Sequence, residues 1–188
     1  VTIYGLYSRW GRAFFETLDG YATVKNVSFV GAYVKDTQRV AVLATKLGEY
    51  QRGYFASGAD KTSNKQTYIT NDSYVTVSNV SVSNAKIVSD STREDGNPLA
   101  AGLVSTTNTP DKISFNNCFF DGSNSKLMAI SGSNILFDGN WTGAEKSQAY
   151  AGIAGLPNWG NNFTFTSCVS TGYPIVPMAT GITYNRYN

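Results

Sequence analysis

Histidine is absent from this chain of 188 residues. That one absence removes Ser-His and Cys-His nucleophile pairs, imidazole general bases and the commonest metal ligand. Charge is scarce as well: Asp, Glu, Lys and Arg make up 15 % of the residues, against about 25 % in ordinary globular proteins. With a net charge of +2 and no basic block to grip phosphates, nucleic acid is not an expected partner. No apolar run approaches the roughly 18 residues of a membrane span, so none is expected. Nor is there a signal-peptide pattern: Val1 already sits in a strand-like segment, as though the chain were mature, trimmed or excised. Cysteine occurs twice and methionine twice. The space is filled instead by Asn, Ser, Thr, Gly and 12 Tyr, a balance that favours β structure over helix. It also points to a secreted or cell-surface location.

An imperfect repeat is the strongest positive signal. The segments Ala22-Thr-Val-Lys-Asn-Val-Ser-Phe29, Val75-Thr-Val-Ser-Asn-Val-Ser-Val82, Ile113-Ser-Phe-Asn-Asn-Cys-Phe-Phe120, Ile135-Leu-Phe-Asp-Gly-Asn-Trp-Thr142 and Phe163-Thr-Phe-Thr-Ser-Cys-Val-Ser170 can be stacked. Their first and third columns are wholly apolar, with mostly polar residues between, as in a strand with one buried face. The fifth column holds Asn26, Asn79, Asn117, Gly139 and Ser167. Asn and Gly tolerate left-handed backbone, and one bent residue there resets the alternation. The sixth column then points inward again, with Val27, Val80, Cys118, Asn140 and Cys168. Strand, one-residue corner, strand is the pattern of a β-helix coil. A β-sandwich is the competing reading, but it has no reason to keep a turn residue at one offset.

A second element recurs as Ala13-Phe-Phe15, Val40-Ala-Val-Leu43, Ala101-Gly-Leu-Val104, Met128-Ala-Ile130 and Ala151-Gly-Ile-Ala154, with a partial copy at Met178-Ala-Thr-Gly181. From Ala101 onward the copies recur roughly every 25 residues, within the range of solenoid periods. Gly5-Leu-Tyr, Ala13-Phe-Phe-Glu-Thr-Leu-Asp-Gly20 and Thr23-Val-Lys-Asn-Val27, with the later Ala-Gly-Leu and Ala-Gly-Ile, resemble the GLUG repeat of bacterial surface proteins. GLUG repeats occur in large secreted adhesins and in non-catalytic regions of surface proteases. Val40-Ala-Val-Leu43 and Met128-Ala-Ile130 depart from the pattern by lacking its glycine.

The expected fold is all-β: a single-stranded, right-handed parallel β-helix (β-solenoid), pectin-lyase-like, of about five to six coils. It would occupy 1–188 as a single domain, a fragment of a longer chain or one capped by neighbouring domains or chains, since open solenoid ends present unpaired edges. The stretch from Val40 to Val77 is far longer than that from Ala13 to Val24, which implies a loop insertion at 48–73. It carries Tyr50, Arg52, Tyr54 and Phe55, and insertions on a rigid scaffold are where repeat proteins place function.

Candidate chemistry is sparse. On the stacked register Cys118 and Cys168 share an inward column two coils apart, hence about 10 Å, beyond the roughly 7 Å that a disulfide allows. Both are expected to be free, buried thiols without a catalytic role. No column stacks two acids: Asp138 falls beside Asn116 and Thr166, and Asp121 beside Ser83 and Thr171. No metal site, cofactor or catalytic set is therefore expected. The outward seventh column runs Ser28, Ser81, Phe119, Trp141 and Val169, so an apolar stripe of Phe119, Trp141 and Val169 would face outward. Such a stripe marks a contact with glycan or protein, or a face covered by a loop, by Tyr184–Asn188 or by a neighbouring chain. Trp159, in a Pro/Gly turn, is either a further contact or a packing anchor. Trp10, beside Arg9 and Arg12, reads as edge packing. Asn-x-Ser/Thr sequons at Asn26, Asn71, Asn79, Asn140 and Asn162 reflect composition, with Asn71 the best glycan acceptor. The leading functional expectation is a non-catalytic adhesin-type module with a binding face. A carbohydrate-active β-helix (a polysaccharide lyase or tailspike-like depolymerase) and a purely structural repeat or filament segment are the alternatives.

Overall fold

The computed structural model describes residues 1–37, 39–48, 52–54, 67–69, 74–91, 99–107, 112–131, 134–138, 150–157 and 162–176. These residues form strands and turns and no helix: β1 (Thr2–Tyr4), β2 (Tyr7–Arg9), β3 (Phe15–Leu18), β4 (Thr23–Val30), β5 (Tyr33–Asp36), β6 (Arg39–Val40), β7 (Ala44–Leu47), β8 (Arg52–Tyr54), β9 (Thr67–Ile69), β10 (Tyr74–Ser83), β11 (Lys86–Ser91), β12 (Leu99–Ala101), β13 (Val104–Thr107), β14 (Lys112–Asn116), β15 (Phe119–Phe120), β16 (Lys126–Ser131), β17 (Asn134–Asp138), β18 (Tyr150–Ala151), β19 (Ala154–Pro157), β20 (Asn162–Thr166) and β21 (Val169–Ser170).

The first sheet has the order β1-β4-β10-β14-β20, with β15 and β21 continuing the last two levels. Every pair in it is parallel, and the register sets Val24 beside Val77, Val77 beside Phe115, and Phe115 beside Phe165. The expected corner is present. Asn26, Asn79, Asn117 and Ser167 have φ of 59, 52, 49 and 52°, all left-handed. Each corner turns the chain so that Val80, Cys118 and then Val82 and Phe120 are buried beside Val75, Val77, Ile113 and Phe115. The exposed corner side chains also bond along the stack, Asn79 Nδ2 donating to Asn26 Oδ1 at 2.9 Å.

One segment does not belong. Ile135-Leu-Phe-Asp138 lies in β17, which runs antiparallel to β16, with Met128 opposite Asp138 and Ser131 opposite Asn134. Phe115 pairs directly with Phe165, so the stack passes this segment by, and Gly139 lies outside the described residues. The physical cause is readable: two residues, Gly132-Ser133, separate two alternating apolar runs, and a Gly-x pair in that position is a hairpin signal.

The second expected element also needs correction. Ala44 pairs with Val104, and Val104 with Ala154, so the stacked copies are Ala41-Val-Leu-Ala44, Ala101-Gly-Leu-Val104 and Ala151-Gly-Ile-Ala154, one residue later than Val40–Leu43. Ala13-Phe-Phe15 joins them through Phe14 N–H to Val42 C=O at 3.0 Å and Phe15 N–H to Leu43 C=O at 2.9 Å. Met128-Ala-Ile130 is not a copy, because it belongs to another sheet, of order β17-β16-β11-β5-β2. Met178 lies outside the described residues, and Ile175 takes the next place, its C=O accepting from Ile153 N–H at 3.0 Å. The spacing near 25 residues therefore measured steps between different sheets, Ala101 to Met128 crossing to the next level and Met128 to Ala151 staying within it. The return to the same column spans 53 residues from Asn26 to Asn79 and 38 from Ser78 to Asn116.

Most buried apolar side chains meet in one interior cluster that includes Phe29, Leu43, Val77, Ile87, Leu103, Phe115, Phe120 and Leu127, and Ala41, Leu99, Ala101 and Ala151 form a second, smaller one. Phe115 and Phe165 stack there with centroids 5.0 Å apart and planes 7° from parallel. Gly102 and Gly152 carry no Cβ because none fits: Phe120 packs on both, and a Cβ at Gly102 would also meet the Gly152 carbonyl. Of 48–73, Arg52–Tyr54 and Thr67–Ile69 pair as an antiparallel ribbon, and Tyr50 and Phe55 lie outside the described residues. No described helix is long and apolar enough to cross a membrane.

Candidate binding face

Phe119 and Val169 are direct partners in the outward column, 38 % and 51 % exposed. Below them the column is polar, with Ser81 Oγ donating to Ser28 Oγ at 2.9 Å. Trp141 is not between them, since Phe119 and Val169 occupy adjacent levels, and Trp141 itself lies outside the described residues, as does Trp159. The expected stripe thus shrinks to one pair. Arg52 and Tyr54 are placed only as backbone of β8.

The same skipped segment revises the thiols. Cys118 and Cys168 stand on adjacent levels, bracketed by the pairs Asn116–Thr166 and Phe119–Val169, so their backbones are about 4.8 Å apart rather than 10. Both are free, Cys118 buried and Cys168 half-buried. A thiol–thiol hydrogen bond pulls the Cys168 pKa down to about 7, while that bond and burial push Cys118 up. Their sulfurs also lie near backbone carbonyls of the level below, Cys118 Sγ donating to Val77 C=O at 3.4 Å and Cys168 Sγ to Phe115 C=O at 3.3 Å.

Among the described residues a more developed surface feature sits elsewhere, on the outer face of β2, β5 and β11. In these strands Ser8, Val34 and Ile87 form one column, and Tyr7, Tyr33 and Lys86 form the next. Val34 and Ile87 are buried, so the tyrosine column faces out. Tyr7 and Tyr33 stack at 5.3 Å and 14°, and Lys86 Nζ lies 5.8 Å from the Tyr33 ring centroid on the next level. Past the end of β2 comes Trp10, 76 % exposed and not packed into an edge. Its φ is 87°, which a bulky side chain rarely adopts and which costs about 1–3 kcal/mol. The residue is held there by its N–H, which donates to Lys35 C=O at 3.1 Å, and the Arg9 guanidinium lies 5.8 Å from its ring centroid.

Beside Trp10 opens a cleft of about 140 Å³ lined by Arg9, Trp10, Lys35, Asp36, Thr37 and Asp90. Lys35 Nζ contacts Asp90 Oδ2 at 2.7 Å, and Asp36 Oδ1 accepts from Thr37 N–H and, at 3.3 Å, from Thr37 Oγ1. Two acids thus converge without sharing a column: Asp36 registers with Ser89, and Asp90 with Ile130. A column-by-column reading of the sequence misses that meeting, which joins neighbouring columns on adjacent levels. Among the described residues no group of three or more Cys, Asp or Glu could hold a metal ion.

Comparison with protein-family models, with curated proteins and with solved structures returns no match.

Proposed function

We propose that the chain winds as a right-handed parallel β-helix, pectin-lyase-like and similar to GLUG repeats, and serves as a non-catalytic extracellular surface module that presents a binding face to glycan or protein. The carrying observation is the aromatic exposure around the first strands: Trp10, with Tyr4, Tyr7, Tyr21 and Tyr74, stands out from the core. Large rings on a rigid sheet supply contact area at low entropic cost. β1, β2 and β3 each pair on one side only among the described strands, which supports neighbouring domains or chains as caps for that end. The test is a glycan array run beside partner capture from a cell-surface extract, with wild type, Trp10→Ala and Phe119→Ala. Specific binding that weakens with either substitution supports the module, and absence of any specific binding refutes it. The grouping of Asp36, Asp90 and Lys35 favours one alternative, a carbohydrate-active β-helix. Depolymerisation of a polysaccharide that stops in Asp36→Asn would replace the binding module with that enzyme.

A further inference from the structure

We infer that the cleft beside Trp10 is a subsite for one neutral pyranose ring, an inference that rests on the binding-module reading and gives its face a ligand class. Its charge balance comes first. Two cations, Arg9 and Lys35, and two carboxylates, Asp36 and Asp90, line one small space. An anionic sugar would face both carboxylates and would have to compete with Asp90 for Lys35, to which it is joined at 2.7 Å. A cationic ligand would meet Arg9 and Lys35. A hydroxyl group both donates and accepts, so vicinal hydroxyls can give to the free carboxylate lone pairs and take from the guanidinium without leaving any of the four groups unpaired.

Size and shape come next. At about 140 Å³ the cleft offers room for a single sugar ring. The wall is the exposed Trp10 ring, backed on one side by Arg9. A pyranose has an apolar C–H face that lies flat on such a ring, while its edge hydroxyls reach the polar groups around it. The positive φ of Trp10 supports a ligand role independently. A strained residue that buries little gains nothing for the core, and strain of this kind collects at binding sites. Tyr33 is not the platform, since Tyr7 covers one of its faces and Lys86 the other.

The test is a titration of the whole chain, followed by tryptophan fluorescence and by calorimetry, with four probes: neutral hexose oligosaccharides, oligogalacturonate, a sulfated oligosaccharide and free glycine as a zwitterion. Neutral oligosaccharides should bind. Trp10→Ala should weaken them roughly tenfold by loss of the ring face, Trp10→Phe should restore most of that loss, and Lys25→Ala, at an exposed position of β4 in another sheet, should change nothing. Asp90→Asn, which keeps the shape, should weaken binding without altering the fold seen by circular dichroism. Binding confined to the acidic probes, or shown equally by glycine, would overturn the neutral-sugar assignment. Neutral-sugar binding that survives both Trp10→Ala and Asp90→Asn would overturn this subsite and leave the module reading intact with another face. Capture of a protein with no saccharide bound would do the same, whereas no binding of any kind would remove both.

Discussion

A strand position and a left-handed corner respond to substitution with opposite signs, and Asn79 separates them. It lies in the middle of β10, where an ordinary strand would favour Val over Gly. Its φ is 52°, where Val is worst and Gly is free of strain. The side chain is exposed, so replacing it opens no cavity. Asn79→Ala removes the hydrogen bond to Asn26 Oδ1 at 2.9 Å, worth about 1 kcal/mol. It also places a Cβ-bearing residue without Asn's local compensation in the left-handed region, for about 1 kcal/mol more. The expected loss is about 2 kcal/mol, or roughly 4–8 °C in Tm for a chain of this size. Asn79→Gly loses the bond but escapes the strain, for about 1–1.5 kcal/mol after its added unfolded-state entropy. Asn79→Val should be the worst of the three. Urea unfolding followed by far-ultraviolet circular dichroism gives the ranking, with equal m-values as the control. The order Gly, Ala, Val from mildest to most severe is required; Val milder than Gly would show an extended residue there and dissolve the corner column.

Other substitutions probe the interior. Phe115 is fully buried and stacked on Phe165, so Phe115→Ala should cost about 3–5 kcal/mol, and Phe115→Leu distinctly less, by the same unfolding assay. Gly102→Ala drives a Cβ into the Gly152 carbonyl and the Phe120 ring and should destabilise by more than about 2 kcal/mol. Gly31→Ala meets nothing within 4 Å at φ +70° and should cost only the backbone strain of about 1–2 kcal/mol. Alkylation by iodoacetamide in the native state should modify Cys168 alone, with a rate that rises through a midpoint at about pH 7; modification of Cys118 first would refute the paired-thiol geometry. Because Cys168 ionises more readily folded than unfolded, its contribution to stability appears as pH rises from about 7 toward 9.0 and is lost as pH falls through 7.

The corner column was legible because it is a local property. Asn26, Asn79, Asn117 and Ser167 announce left-handed backbone by residue type, and the alternation on either side announces which face is buried. What the alignment lacked was long-range information about which copies are neighbours. Ile135-Leu-Phe has the same period of two as Ile113-Ser-Phe, yet its antiparallel pairing with β16 uses it against its own level. That substitution of a short-range partner for a long-range one moved Val169 next to Phe119 and Cys168 next to Cys118. Closing a hairpin of a few residues costs far less loop entropy than a return of dozens, so a segment able to do either will pair locally. The shift of Ala41–Ala44 against Val40–Leu43 has another cause: a run of small apolar residues is uniform, so it carries no mark of register.

The cleft beside Trp10 was illegible for a different reason, since its parts are ordinary when taken singly. Trp10 sits among charges, and Asp36 and Asp90 lie in unrelated stretches of sequence. Two ladders show what stacking adds. Tyr7, Tyr33 and Lys86 form one, and Tyr21, Tyr74 and Lys112 the other, with Tyr21 and Tyr74 at 5.5 Å and 7° and Lys112 Nζ 5.9 Å from the Tyr74 centroid. In each, a cation closes one end of an aromatic pair, for about 0.5–1 kcal/mol at an exposed site, and the other end shows a bare ring, Tyr7 at 67 % and Tyr21 at 78 % exposure. Members of either ladder lie dozens of residues apart in the sequence and meet only when the levels stack, so no reading of a single segment shows them.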